Sequence, residues 1–264
     1  METNNTLLKI LKTEIAFVFL LFSSSISANP IYLGIEPAKY LIGDFSPEKY
    51  FEAYEGQKDK KVIYLRKDVI LALNKMLRDF DKERENKSKQ NIFLVSGFRS
   101  FSHQKNIWEG KYRGDIKMST SIKGKTPEEK IFLILQYSSA PGTSRHHWGT
   151  DFDINVLRND YYEKNGHGEY LYNWLKKNAA KYGFCQPYNE YYKRNNAGYL
   201  EEKWHWSYAP IANQLLKDWV HYNSNSFLKY SGRFLASEYL KELPYEYVVS
   251  VNKECNEIKT NHFY

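Results

Sequence analysis

Ten consecutive residues carry much of the candidate chemistry in this chain: Ser144-Arg145-His146-His147-Trp148-Gly149-Thr150-Asp151-Phe152-Asp153. Two imidazoles and two carboxylates fall where a loop gives way to a strand. Zinc takes nitrogen and oxygen donors, and a catalytic zinc site keeps three protein ligands plus water. A His in the loop and an Asp one short strand away can converge on such an ion, with Gly149 letting the backbone turn tightly between them. Spacing does not choose among the candidates. Asp151 and Asp153 face the same side of a strand, and His146 and His147 are equally placed. Taken alone, the stretch also fits a polar surface loop.

Two further groups matter. Glu201-Glu202-Lys203-Trp204-His205-Trp206 offers a carboxylate and an imidazole three residues apart. Such residues face opposite sides of a strand unless the chain bends between them. A Glu just ahead of the strand and a His within it could still flank one activated water, the Glu taking its proton and passing it to a leaving amine. Ser96-Gly97-Phe98-Arg99-Ser100, followed by Gln104, places an Arg just after a buried strand, at the floor of a cleft. Its planar fork suits a carboxylate. By themselves, a charged turn and a surface Arg are the ordinary readings of these two groups.

The elements that must position these residues follow from periodicity. Val69, Ile70, Leu73, Met76, Leu77 and Phe80 recur at helical spacing and predict an amphipathic helix over 66–84. Residues 92–96 read as a buried strand ended by Gly97. Helices are predicted over 102–112 and from Pro127, and again over 169–182 with Gly183 as the stop. Residues 138–149 read as loop, and 150–157, 184–188 and 203–208 as strands. Helices are expected over 210–221 and 227–242, and residues 29–62 look irregular. Short strands mixed with helices, without regular alternation, favour an α+β fold.

Together the three groups resemble the M15 family of zinc D,D-peptidases, and within it the VanY-type D-alanyl-D-alanine carboxypeptidases. The family's Ser-x-His, with Gly three residues on and Asp four after that, is met by Ser144, His146, Gly149 and Asp153. Its Glu-x-Trp-His is met by Glu202, Trp204 and His205, and its Ser-Gly-aromatic-Arg-Ser element with a later Gln by Ser96 to Ser100 and Gln104. The resemblance spans roughly residues 65 to 210. It implies that His146, Asp153 and His205 hold Zn2+ and that Glu202 is the catalytic base. It also implies that Arg99, Gln104 and Ser144 hold the substrate or polarise its scissile carbonyl. The fold it implies is the hedgehog-like α+β one, a small, mainly antiparallel sheet flanked by helices. The substrate it implies is the peptidoglycan stem peptide, which would lose its terminal D-alanine. L,D-carboxypeptidases share these motifs, and an endopeptidase or a non-catalytic wall-binding module remain as alternatives. A binding module, however, has little use for Glu202 beside a complete ligand set. Asp151 departs from the family pattern, which usually has a small or apolar residue there. It is expected either to orient a His ligand or to contact the substrate's amino group. Lys203 stands where many relatives have Pro.

Composition bounds the rest. The 264 residues are 42% hydrophobic and 26% charged, enough for a real core and unlike a disordered or membrane-embedded chain. The net charge of +7 contains no run of five basic residues and alternates with acidic ones, which argues against a nucleic-acid partner. Lys9 and Lys12, the apolar run Ile15 to Phe22 and the small polar run to Ala28 have the layout of a secretory signal peptide cleaved after Ala28. The apolar run is short for a membrane span. The expected organisation is a signal at 1–28, an irregular segment at 29–64, a peptidase-like domain at 65–210 and a helical extension at 211–264. The mature protein is expected in the periplasm or cell envelope, as a monomer without membrane insertion. In an oxidising compartment Cys185 and Cys255 could pair and tie the tail to the body.

Overall fold

The computed structural model describes residues 29–55, 62–84, 90–136, 138–241 and 243–258. The signal expected at 1–28 lies outside the described residues. In chain order the elements are α1 (Pro37–Leu41), β1 (Glu52–Tyr54), β2 (Ile63–Leu65), α2 (Lys67–Arg84), β3 (Leu94–Ser96), α3 (Phe101–Arg113) and α4 (Pro127–Leu135). They continue with β4 (Asp151–Ile154), α5 (Glu169–Asn178), β5 (Phe184–Cys185), β6 (His205–Tyr208), α6 (Ala209–Ser224) and α7 (Leu243–Val249). A β1–β2 hairpin stands apart from a four-stranded sheet of order β3-β4-β6-β5, antiparallel throughout. This is the small antiparallel sheet with flanking helices expected for the α+β class.

Alternation along the two central strands separates core from chemistry. Phe152 and Ile154 on β4, and Trp206 and Tyr208 on β6, pack against Val69, Leu73, Met76 and Phe80 of α2 and Leu171 and Leu175 of α5. Their neighbours Asp151, Asp153, His205 and Ser207 therefore face the other side. Burying each large apolar side chain contributes about 1.5–3 kcal/mol, so slipping either strand by one residue would turn several of them outward at once. The core of this face thus fixes which polar residues meet on the opposite one.

A second core lies across the sheet. Trp108 of α3, Ile131 and Ile134 of α4 and Trp219 of α6 share it with Tyr40 and Leu41 of α1 and with Trp148. The N-terminal segment and the tail are thus built into the body. Helix α4 begins with a full capping box, in which Thr126 and Glu129 satisfy each other's backbone amides behind Pro127. After α5 a short 3-10 turn, Ala179–Tyr182, stops at Gly183 in the left-handed region, as predicted.

The helix expected over 227–242 is not formed. Gly232 (φ +77°) and Ala236 (φ +63°) turn the chain left-handed, and a 3-10 turn at Ser237–Tyr239 is the regular structure in that stretch. The apolar residues read as a helical stripe do bury Leu228, Phe234 and Leu240 in the second core. The chain follows that surface irregularly because external partners hold its backbone: the Trp108 indole donates to the Leu235 carbonyl at 3.0 Å. The helical turns come later, at α7, with Pro244 in its first turn.

Cys185 of β5 and Cys255 form a disulfide across 70 positions. Closing so long a loop removes about 4 kcal/mol of unfolded-chain freedom on the entropic account. Replacing both cysteines by alanine should lower the thermal midpoint by roughly 5–15 °C for a chain of this size. Scanning calorimetry of both forms checks this, and an unchanged midpoint would mean the tail is held by its other contacts.

Candidate active site

Strand pairing places the first two residues. In the β4–β6 register Asp153 lies opposite His205, and Asp151 opposite Ser207. Glu202 precedes β6 in a turn closed by the His205 amide on the Glu202 carbonyl at 3.2 Å, so the chain bends between the two. That bend brings a carboxylate three residues upstream onto the His205 side. His146 sits in a 3-10 turn, Arg145–Trp148, ended by Gly149 at φ +68°. A side chain on Gly149 would meet the Phe51 ring at 2.6 Å, so glycine is required there twice over. Trp148 pins the turn by donating its indole N–H to the Leu41 carbonyl at 3.1 Å.

His146, Asp153 and His205, all buried, offer ligand-type atoms within 4.8 Å of one another. His146 Nδ1 lies 2.7 Å from the Gly97 carbonyl oxygen. A carbonyl only accepts, so Nδ1 carries the proton and the lone pair is on Nε2. His205 is reversed: Nε2–H donates to Asp151 Oδ1 at 3.0 Å, and Nδ1 faces Asp153 Oδ1 at 3.3 Å and Glu202 Oε2 at 3.2 Å. His146 Nε2 and Asp153 Oδ1 are buried without a hydrogen-bond partner. Leaving each so costs about 1–3 kcal/mol, which makes sense for atoms arranged around a cation. Two imidazole nitrogens and one carboxylate oxygen, each ring oriented by a hydrogen bond at its far nitrogen, fit zinc.

His147 cannot join them. Its Nδ1–H donates to the Arg99 carbonyl at 2.6 Å, and its Nε2 accepts from the Gly142 amide at 3.0 Å. Both nitrogens are spent on holding loops together. Burial holds its pKa down at about 3, so it stays neutral. Burial and the nearby Arg99 also lower His146, keeping its lone pair available. Burial alone would raise Asp153, yet the two imidazoles beside it hold its carboxyl well below the usual range. His205 is pulled down by burial and up, more strongly, by Asp151, Asp153 and Glu202. The field that would keep a proton on this ring equally favours a metal ion.

Asp151 does not meet a substrate. It is completely buried, with Oδ1 accepting from Arg145 Nε at 2.8 Å and from His205, and Oδ2 from Thr150 and Ser207 hydroxyls at 2.6 and 3.0 Å. Of the two expectations for this residue, orientation of a His ligand is the one the geometry supports; the substrate contact is corrected. Gln104 needs the same correction. It is completely buried, accepts from Arg99 at 3.1 Å and donates to the Ser139 carbonyl at 2.7 Å, so it positions Arg99 and does not reach the cleft. Arg99 and Ser144 do line a cavity of about 40 Å³ beside His146 and His205, together with Glu202. Arg99 and Glu202 remain partly exposed there, at 18% and 19% of their side chains.

Sequence reasoning passed over Arg145 and Tyr188. The Arg145 guanidinium, buried at 3% exposure, clamps β4 to β6 by reaching Asp151 and, at 2.7 Å, the Ser207 hydroxyl. An opposite charge six residues downstream was its one signal in the sequence. Tyr188 packs edge-on to His205, ring centres 4.9 Å apart, and no motif marks it. Asp151→Asn should weaken zinc binding about 10- to 100-fold, the usual effect of losing an outer partner of a metal-bound His. Chelator competition on the folded variant measures this; an unchanged affinity would show that His205 is oriented without Asp151.

Residues 62–211, more than half of the chain, match the family described as D-alanyl-D-alanine carboxypeptidase, VanY. No curated protein matches it significantly. Among solved structures, the chain is similar to the LD-carboxypeptidase LdcB at 22% identity, with 76% of this chain and 81% of that one covered and a TM-score of 0.48. It is similar to VanYB, solved in complex with D-alanine-D-alanine, at 22% identity, 72% and 89% coverage and a TM-score of 0.44. DacB from Streptococcus pneumoniae is similar at 22% identity, 64% and 89% coverage and a TM-score of 0.38. With the matched segment running from β2 into α6 and taking in every residue of the candidate metal group, this chain belongs to the VanY family of D-alanyl-D-alanine carboxypeptidases.

Proposed function

We propose that this protein is a zinc-dependent D-alanyl-D-alanine carboxypeptidase that removes the terminal D-alanine from peptidoglycan stem peptides. The observation that carries the reading is the buried His146, Asp153 and His205 group with Glu202 at its open side. Zinc held there would supply Lewis acidity, which acidifies water and polarises a carbonyl. Glu202 would take a proton from water at the cavity and return it to the departing amine. Its carboxylate is partly exposed and tethered at the backbone, where its amide donates to the Tyr188 carbonyl at 2.9 Å. Arg99, held by Gln104 and paired with Asp153 at 3.5 Å, lines the same cavity and would grip the carboxylate of the leaving residue. Ser144 adds a small polar wall beside it.

The reading includes export. A signal-peptide layout at 1–28 and a disulfide between the chain's two cysteines both suit the periplasm or cell envelope. Among the described residues no helix is long and apolar enough to cross a membrane.

Zinc-loaded protein beginning at Asn29, incubated with pentapeptide and tetrapeptide muropeptides, should release one alanine from the pentapeptide and stop when a chelator is added, read by mass spectrometry. Release from the tetrapeptide would move the assignment to an L,D-carboxypeptidase; no release from either, with zinc bound, would remove the exopeptidase reading. Glu202→Gln should keep one zinc per chain and lose about 10²- to 10⁴-fold in turnover, the scale for a missing general base. Near-normal turnover in that variant would strip Glu202 of its role.

A further inference from the structure

One wall of the cavity holds a feature that the family motifs do not include. Ser138 and Ser139 line the cavity there, just before the loop that leads to His146. Helix α3 reaches them with one face: Gln104, Trp108 and Lys111 stand at i, i+4 and i+7. Gln104 bonds Arg99 and the Ser139 carbonyl. Lys111 Nζ lies 2.5 Å from Ser138 Oγ.

The direction of that last bond matters. An ammonium group only donates, so Ser138 Oγ is the acceptor and its own hydroxyl proton must point elsewhere. Ser138 lines the cavity, so a bound oxygen anion there is the natural recipient. A hydroxyl polarised by a cation behind it is a stronger donor than a neutral one. Arg99 lines the same cavity, with its guanidinium also paired to Asp153 at 3.5 Å. Burial, and then the nearness of Arg99, bring the Lys111 ammonium down to about 8.

Resting on the carboxypeptidase reading, we propose that Lys111, acting through the Ser138 hydroxyl, forms with Arg99 the two-sided subsite for the substrate's terminal carboxylate, and that this subsite makes the enzyme an exopeptidase. Arg99 contacts one side of the carboxylate, and Ser138 donates to the other. Lys111 is a positioning residue: it sets the direction and strength of the Ser138 donor. At about 40 Å³ the cavity has room for a carboxylate in place of a few waters.

The test compares a peptide ending in D-alanyl-D-alanine with its C-terminal amide, using zinc-loaded wild type and the variants Lys111→Met, Ser138→Ala, their combination, and Lys111→Arg. For the free acid, Lys111→Met and Ser138→Ala should each raise KM about 10- to 100-fold, with a much smaller fall in kcat, the scale for losing a hydrogen bond that involves a charged group. The combination should be no worse than either alone, Lys111→Arg should recover most of the affinity, and the weak binding of the amide should not change. An unchanged KM in Lys111→Met, or an equal rise for acid and amide, would overturn the proposal, the second by reducing Lys111 to a structural part. Should wild type cleave neither peptide, the carboxypeptidase reading fails by itself. Equilibrium binding of the same two peptides then decides the subsite: a preference for the acid that Lys111→Met abolishes upholds it, and no preference refutes it.

Discussion

The pairing of β4 with β6 is the constraint on which the site depends. It places Asp153 opposite His205 and Asp151 opposite Ser207 on a face that holds no apolar side chain of either strand. The two strands are only four residues long, so backbone bonds alone would hold them loosely. Two further forces lock the register. On one face Phe152, Ile154, Trp206 and Tyr208 are buried against α2 and α5. On the other Arg145 spans both strands, reaching Asp151 and Ser207. Breaking one member of such a buried ionic group strands the others without water, which is far more costly than its formation is stabilising. The metal group is therefore held from behind by a polar lattice and from beneath by a hydrophobic one.

Charge is apportioned by position in this centre. The buried carboxylates Asp151 and Asp153 are both kept ionised, the first chiefly by Arg145 against the cost of burial and the second by the imidazoles. Asp151 is fully neutralised by its four donors and contributes geometry. Asp153 keeps an oxygen without a partner and contributes charge to the centre. The same division separates the histidines: His147 spends both nitrogens on backbone groups, whereas His146 and His205 each spend one. Two residues of one type, adjacent or nearly so in sequence, thus have opposite duties because of what their far atoms touch.

That division explains what the sequence could disclose. Helix α2 was legible because a single periodic stripe, from Val69 to Phe80, decides it locally. The candidate ligands were legible as a group only through three motifs taken together. Choosing His146 over His147 from spacing alone was impossible, since the choice rests on the carbonyls of Gly97 and Arg99, nearly fifty positions upstream. The resemblance assigned Gln104 to the substrate and left Asp151 between orienting a His and meeting the substrate; burial shows that they serve Arg99 and His205. The tail misled for the converse reason. Its apolar residues do lie against the body, but side chains and backbone groups of distant elements set the path there, and a helical period in the sequence cannot register them.

The bond between Cys185 and Cys255 has a consequence beyond stability. Asn252, three residues before Cys255, donates to the Gln186 carbonyl, and the Gln186 amide in turn donates to the carbonyls of Tyr188 and Glu202. The tail is therefore the backing of the turn that presents the candidate base. That backing gains its covalent tie only where the two thiols meet an oxidant. Oxidation of that pair would then be the last step of assembly for the turn that carries Glu202.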